Sequence, residues 1–323
     1  MSVASTTARE VTRTTAAIAS GRSRDRNPAS IVFLGLLWAS LFFGIMVLAA
    51  LIIDTAIQGA GRFDHFLFTD YQKNLGHEQA ERFAEARGLA VEDLSNEYTG
   101  FRAGILGSLF LMVTTALFAI PLGIAAATYL EEFANGKAWY NKLIEVNLQN
   151  LAAVPSIIYG MLAAAIMGLL GYQFKGIVLG GAIALALLIL PVVIITTREA
   201  LRAVPEEIRQ GSLALGATVW QTTWRNTLPS AVPGIATGTI LGLSRAIGEA
   251  APLIMVGLAA AYWDPTSFTS KVEALPMQIY RMASSPQAAV QEAASAGIIL
   301  LLVMILGMNA VAILIRNKFQ KSW

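Results

Sequence analysis

Residues 105–130 read Ile105-Leu-Gly-Ser-Leu-Phe-Leu-Met-Val-Thr-Thr-Ala-Leu-Phe-Ala-Ile-Pro121-Leu-Gly-Ile-Ala-Ala-Ala-Thr-Tyr-Leu130, without one charged side chain. A helix that crosses the hydrocarbon of a bilayer needs about 20 such residues. A surface helix of a soluble protein would show a polar face instead. Four further runs have the same character, 30–53, 148–170, 177–197 and 296–315, and a fifth, 235–258, is as apolar except for Arg245 and Glu249. The run 30–53 is longer than the apolar region of about 7–15 residues in a secretory signal, so it reads as a retained first span.

Composition agrees. Hydrophobic residues are 55% of the 323 and charged residues 14%, against about 25% charged in soluble domains. Mean hydropathy is +0.59. The net charge of +2 and the lack of a basic tract with interleaved aromatics give no sign of nucleic-acid binding. The chain has no cysteine, which excludes disulfides and thiolate metal sites. The fold class is therefore an all-α polytopic membrane protein with six transmembrane helices.

Lysine and arginine set the expected orientation. With the N-terminus inside, fourteen of the 23 Lys and Arg fall in inside segments and eight outside, with Arg245 within a span. Both termini are thus expected to be cytoplasmic. The chain divides into a cytoplasmic tail 1–29, a first span 30–56, an outside loop 57–103 and a five-helix core 104–323. Within the outside loop, the spacing at 78–94 predicts a short amphipathic helix, and a second short helix is expected at 272–282.

The inside segment 198–233 is much longer than a connection of about 2–8 residues. Pro205 suits the first turn of a helix, and Glu206 and Glu207 follow at the positive end of its dipole. Gly216 is a natural stop. A second short helix is expected from 219 to 227, ended by Pro229. Two ordered helices at this place suggest a docking element.

The fifth span carries Gly234, Gly238, Gly242, Ser244, Arg245, Gly248, Glu249 and Pro252. At 100° per residue the glycines 234, 238 and 242 fall with Arg245 and Glu249 within about 80° of one another. Small residues let helices approach closely. Arg and Glu inside a membrane each cost about 2.5–3.5 kcal/mol on insertion scales, so they must face protein or water. Spaced i, i+4, they can pair. Two readings stay open on the residues alone: a salt bridge that locks packing, or a cation lining an anion path with Glu249 holding it. Pro121, Pro155 and Pro191 read as packing irregularities in the second to fourth spans. Neither a phosphate-binding G-x-x-x-x-G-K-[ST] loop nor a G-x-S-x-G elbow occurs, and His77-Glu78-x-x-Glu81 lacks the second histidine of a zinc motif.

The inside segment resembles the permeases of ATP-binding-cassette importers, whose loop has the form E-A-A-x-x-x-G-x(9)-I-x-L-P. Here the aligned residues are Gln210, Gly211, Ser212, Gly216, Asn226, Leu228 and Pro229; the glycine, leucine and proline match, and the Glu, both Ala and the Ile do not. The flanking stretches are more specific. Arg198–Pro205, Leu213–Thr218, Val154–Gly160, Leu243–Leu253 and Asn309–Phe319 are similar to phosphate-importer permeases of the PstA-like type within the MetI-like permease family. The loop at about 70–98 looks longer than that family usually has.

The resemblance implies a MetI-like ABC importer permease fold in a bacterial inner membrane. The chain would have no ATPase site of its own. It would pair with a PstC-like permease, a PstB-like ATPase dimer that binds ATP and Mg, and a PstS-like phosphate-binding protein. It places Gln210, Gly211, Ser212, Gly216, Leu228 and Pro229 in the ATPase-coupling loop, and Ser244, Arg245 and Glu249 on the transport path. Alternatives are another oxyanion (sulfate, molybdate or phosphonate), a sensory or scaffold membrane protein that does not transport, and an ion-coupled transporter that needs no ATPase.

Overall fold

A computed structural model of the chain describes residues 28–63, 65–72, 86, 88, 99–136, 138–172, 175–286 and 288–319. The helix expected at 78–94 and the tail 1–27 lie outside the described residues. The described chain is helical, with two isolated β-bridges, Gln72 to Thr99 and Ile177 to Lys271. It falls into two compact units, Met1–Asp54 and Thr55–Trp323. The described part of the first is most of helix α1 (Pro28–Gly59), as apolar as the sequence predicts.

The second unit opens with the short α2 (His65–Thr69), and α3 (Arg102–Thr128) and α6 (Val178–Arg202) form its centre. These two long helices approach closely through glycine. A Cβ on Gly123 would come 2.6 Å from Val193, and one on Gly181 2.8 Å from Leu111. Leu111, Leu185, Ile189, Val193, Ile247 and Leu253 form the main core, drawn from α3, α6, α9 (Leu228–Ile247) and α10 (Ala251–Met255). Pro121 and Pro191 stay inside continuous helices.

Among the described residues, four helices are long and apolar enough to cross a membrane: Ala29–Arg62, Arg102–Phe133, Val178–Arg202 and Val290–Leu314, the last lying within α12 (Ala288–Phe319). A fifth crossing needs α4 (Trp139–Ala152) and α5 (Ser156–Leu169) together, and these are bent by 107°. The expected third span is therefore two helices and not one kinked rod. Pro155 has no N–H to continue α4, and its ring disfavours a helical Val154. Its own backbone is extended, with ψ 135°, and the corner is closed by Tyr159, which donates to the Leu151 carbonyl.

The expected span 235–258 is also interrupted. α9 ends at Ile247, and α10 begins only at Ala251. Pro252 cannot donate to the Gly248 carbonyl, so the ladder stops there. At its other end α9 extends further than expected. Pro229 does not terminate the preceding helix; it lies in the first turn of α9, which continues from α8 (Val219–Thr222) through a π-helical turn, Thr223–Thr227. Leu228 N–H bonds to Thr223 five residues back. The wide turn accommodates a proline that cannot make the ordinary i→i−4 bond. α9 has 20 residues, about 30 Å at 1.5 Å per residue, but its Thr, Gly and Arg245 make it more polar than the four helices above, and it is not among those apolar enough to cross.

The loops next to α3 are pinned by charge. Arg102 makes a two-pronged pair with Asp264, at 3.1 and 2.7 Å, and Tyr71 donates to the same carboxylate at 2.8 Å. The Arg102 hydrogen bonds hold the Asp264 carboxyl below the usual range. Glu273 is buried and paired with Arg281, which also donates to Gln72 at 2.9 Å. Its carboxylate accepts the Ala261 N–H at 3.0 Å. Burial outweighs these partners and pushes the Glu273 carboxyl up to about 7. α11 (Leu275–Ala283) follows, three residues later than the sequence suggests.

Candidate functional site: a charged span and a strapped helical pair

α9 lies against α6 through the predicted glycines. A Cβ on Gly234 would meet Ala200 at 2.6 Å, and one on Gly238 would collide with the Thr196 side chain. Gly242 is looser, 3.6 Å from Ile189 and Val193. All three therefore face α6, as a packing face should.

Arg245 and Glu249 do come together. Arg245 Nε is 3.7 Å from Glu249 Oε1, and their side chains are 43% and 25% exposed. At that distance and exposure the pair is weak. Glu249 leaves α9 just past its end, its N–H bonding to Ala246 O at 3.2 Å. Arg245 sits in the last turn, where the helix dipole favours a cation. The charges are not buried on the glycine face. Arg245 shares the angle of that face but lies about one turn beyond Gly242, a turn from exposed Leu241. Ser244 turns away from that face. Its hydroxyl is 2.7 Å from the Ile240 carbonyl and also contacts Asn309 Oδ1 of α12. Asn309 is the one side-chain amide of the apolar run 296–315, and that position in the sequence does not disclose Ser244 as its neighbour.

At the other end of α9, the expected coupling helices are both present. α7 (Glu206–Ala214) is followed by Gly216 at φ +86°, a left-handed conformation suited to glycine. Nothing lies within 4 Å of a Cβ built there. Thr218 then opens α8 with a capping box closed by Gln221. Ser212 ties the two helices together: its hydroxyl is 2.9 Å from Thr222 Oγ1 and accepts from Asn226 Nδ2 at 2.9 Å. Gln210 and Gly211 are exposed. Leu228 is not on that surface; it packs inward on the cluster of Leu201 and Val204.

A network the sequence did not reveal straps this pair to the spans. Arg209 of α7 donates to Glu132 at 2.9 Å and to the carbonyls of Leu201 and Val204 at 2.7 and 2.9 Å. Arg198 and Arg202 of α6 both reach Glu131, at 3.2 and 2.7 Å. Glu131 and Glu132 stand on a π-helical turn, Tyr129–Phe133, that extends α3. A cleft of about 410 Å³ lies between the strap and α8, lined by Glu131, Arg202, Arg209 and Val219. Leu213, which also lines the cleft, and Leu215, Trp220 and Trp224 of this helical pair and its turns are exposed.

Residues 119–321 match the family described as the binding-protein-dependent transport system inner membrane component. The phosphate transport system permease protein PstA of Yersinia pestis is 32% identical over 295 residues, 91% of either chain. The protein of the same name from Xylella fastidiosa (strain Temecula1) is 34% identical over 226 residues, 69% of this chain and 77% of its own. The bacterial alginate ABC transporter, solved in complex with an alginate pentasaccharide-bound periplasmic protein, shares the fold with a TM-score of 0.55. Its identity is 18%, over 89% of this chain and 96% of that one. With its apolar helices, glycine-packed charged span and projecting helical pair, this multi-pass chain belongs to the binding-protein-dependent transport system inner membrane component family, the permeases of ABC importers.

Proposed function

We propose that the chain is the transmembrane permease subunit of an ATP-driven importer that takes up phosphate from a binding protein. The observation that carries this reading is the likeness, along 91% of both chains, to a permease named for phosphate transport. Its partners are a PstC-like permease, two PstB-like ATPase subunits that bind and hydrolyse ATP, and a PstS-like binding protein. The distribution of Lys and Arg supports cytoplasmic termini. α7 and α8 then face the cytoplasm, where exposed Trp220 and Trp224 meet an ATPase groove, and the α1–α3 and α10–α11 connections face the binding protein.

In this mechanism, closure of the ATPase pair pushes α7. The Arg209–Glu132 and Arg202–Glu131 pairs pass the motion to α3 and α6. The inward and outward openings alternate around Arg245, whose half-exposed guanidinium would be costly in lipid and so faces the path or the second permease. Glu249 competes for it. A cation partly neutralised in this way makes a shallow anion site, which suits passage, because an ion must leave as well as enter.

The test is radiolabelled phosphate uptake in a strain deleted for this gene and for its other phosphate systems, with and without the gene restored. Restored uptake is expected to resist excess sulfate and molybdate and to fail on ATP depletion. Uptake unchanged by the gene overturns phosphate as the cargo, and competition by the other oxyanions would name the replacement. Uptake that survives ATP depletion but collapses with an uncoupler overturns the ATP-driven mechanism.

A further inference from the structure

We propose that Asn309 and Arg316 of α12 are positioning residues for Arg245, acting through a two-rung polar ladder to α9 that fixes the rotation of that span. The upper rung is the contact of Ser244 with Asn309. The lower is Arg316, which donates to Thr237 Oγ1 at 3.2 Å. Thr237 and Ser244 are seven residues apart, as are Asn309 and Arg316. Seven residues are about two turns of helix, so each pair shares a face. The helices run antiparallel past one another, and the rungs keep one register.

The α6 contact of α9 (Gly234, Gly238, Gly242) and its α12 contact (Thr237, Ser244) occupy different arcs of the helix, and Arg245 falls within the first, about one turn beyond Gly242. Taking Gly234 as zero, Gly238 and Gly242 lie at about 40° and 80°, and Thr237 and Ser244 at about −60° and −80°. Leu241 lies between these arcs, at about −20°, and is 60% exposed; Arg245 lies at about 20°, within the glycine arc, and is 43% exposed in the last turn of α9. α6 holds one flank by close backbone approach and α12 holds the other by polar bonds. The first constrains distance; a smooth glycine face does little against rolling. The second constrains angle, because a hydrogen bond is lost with a shift of about 1 Å. Ser244 has one proton to give. With the Ile240 carbonyl taking it, the Asn309 amide turned end for end would donate to Ser244 instead; either assignment joins the helices.

The significance of the ladder for transport rests on the reading of Arg245 as part of the anion path. The test therefore has one readout that needs no transport. This chain has no cysteine, so Leu241→Cys gives it one thiol, labelled with a membrane-impermeant maleimide in the complete importer reconstituted in proteoliposomes and read on this subunit after its separation from the others. Asn309→Leu removes the upper rung. Thr237→Val removes the lower with little change of shape and guards against a misfolded Asn309 variant.

Each variant is expected to change the labelling rate of the thiol at position 241 several-fold and to raise the KM for phosphate about tenfold. ATP hydrolysis driven by the binding protein should remain. Labelling and KM both unchanged in Thr237→Val overturn the proposal. So does an altered KM with unchanged labelling, which would point to a contact with the anion rather than positioning. Altered labelling in an importer that moves no phosphate even as wild type would uphold the ladder and sink the transport reading alone.

Discussion

Arg245 is a cation whose partner holds it loosely, at 3.7 Å. A packing lock is usually buried and close, and the openness of this pair supports the proposed role of Arg245 in the anion path. Arg245→Gln is expected to lower uptake about tenfold or more, the worth of one charge-assisted contact. The complex should assemble normally, as measured by co-purification of its subunits. Glu273 presents the opposite case, a carboxyl raised from 4.5 to about 7 by burial. The folded protein holds its proton more tightly than the unfolded chain does. Its contribution to stability is therefore full below about pH 4.5 and is lost as pH rises through about 7. The melting temperature of the purified complex should fall across that window, and Glu273→Gln should flatten the slope. The sequence offered no sign of Glu273, because its burial and its Arg281 partner arise only when the loop folds over α3.

Helices in this chain start and stop largely where proline and glycine dictate. Pro155 and Pro252 are visible in the sequence, and so is the donor that Pro252 denies the Gly248 carbonyl, but a full break of the helix at either place is not. Each could have bent a span gently, as at Pro121 and Pro191, which stay within helices. What breaks α4 from α5 by 107° is that the corner is stabilised by its neighbours, Tyr159 bonding to Leu151 and Gly160 lying against Pro252 and Met255. Two predictions belong to this scale. Gly238→Val drives a side chain into Thr196 and should destabilise the α9–α6 contact by about 1–3 kcal/mol, seen as a lower melting temperature. At Gly216, Ala and Glu separate two effects. Both bear the left-handed backbone cost of about 1–2 kcal/mol. Only Glu places a charge on the proposed docking surface, so Gly216→Glu should uncouple ATP hydrolysis from binding-protein docking while Gly216→Ala keeps most of it.

Across the whole molecule, the strap between α7 and the ends of α3 and α6 joins the projecting helices to the spans. Glu132 is 7% exposed and Arg209 16%. Replacing Arg209 by Met leaves a buried carboxylate and two carbonyls without their donor, a loss of about 3–5 kcal/mol. The expected result is a lower melting temperature together with ATP hydrolysis that no longer drives uptake.

Apolar run lengths alone specify a multi-span helical membrane protein, because the bilayer admits few other structures. The local patterns around Arg198 to Pro229 and Ser244 to Pro252 carry the family, because they are contiguous in the chain. Contacts between distant segments could be decided only by the tertiary fold. Asn309 meets Ser244 across 65 residues, Arg209 meets Glu132 across 77, and Arg102 meets Asp264 across 162. A side chain's partner depends on where packed helices place it, and the apolar pattern that predicts a helix does not say which neighbour its polar residues will face.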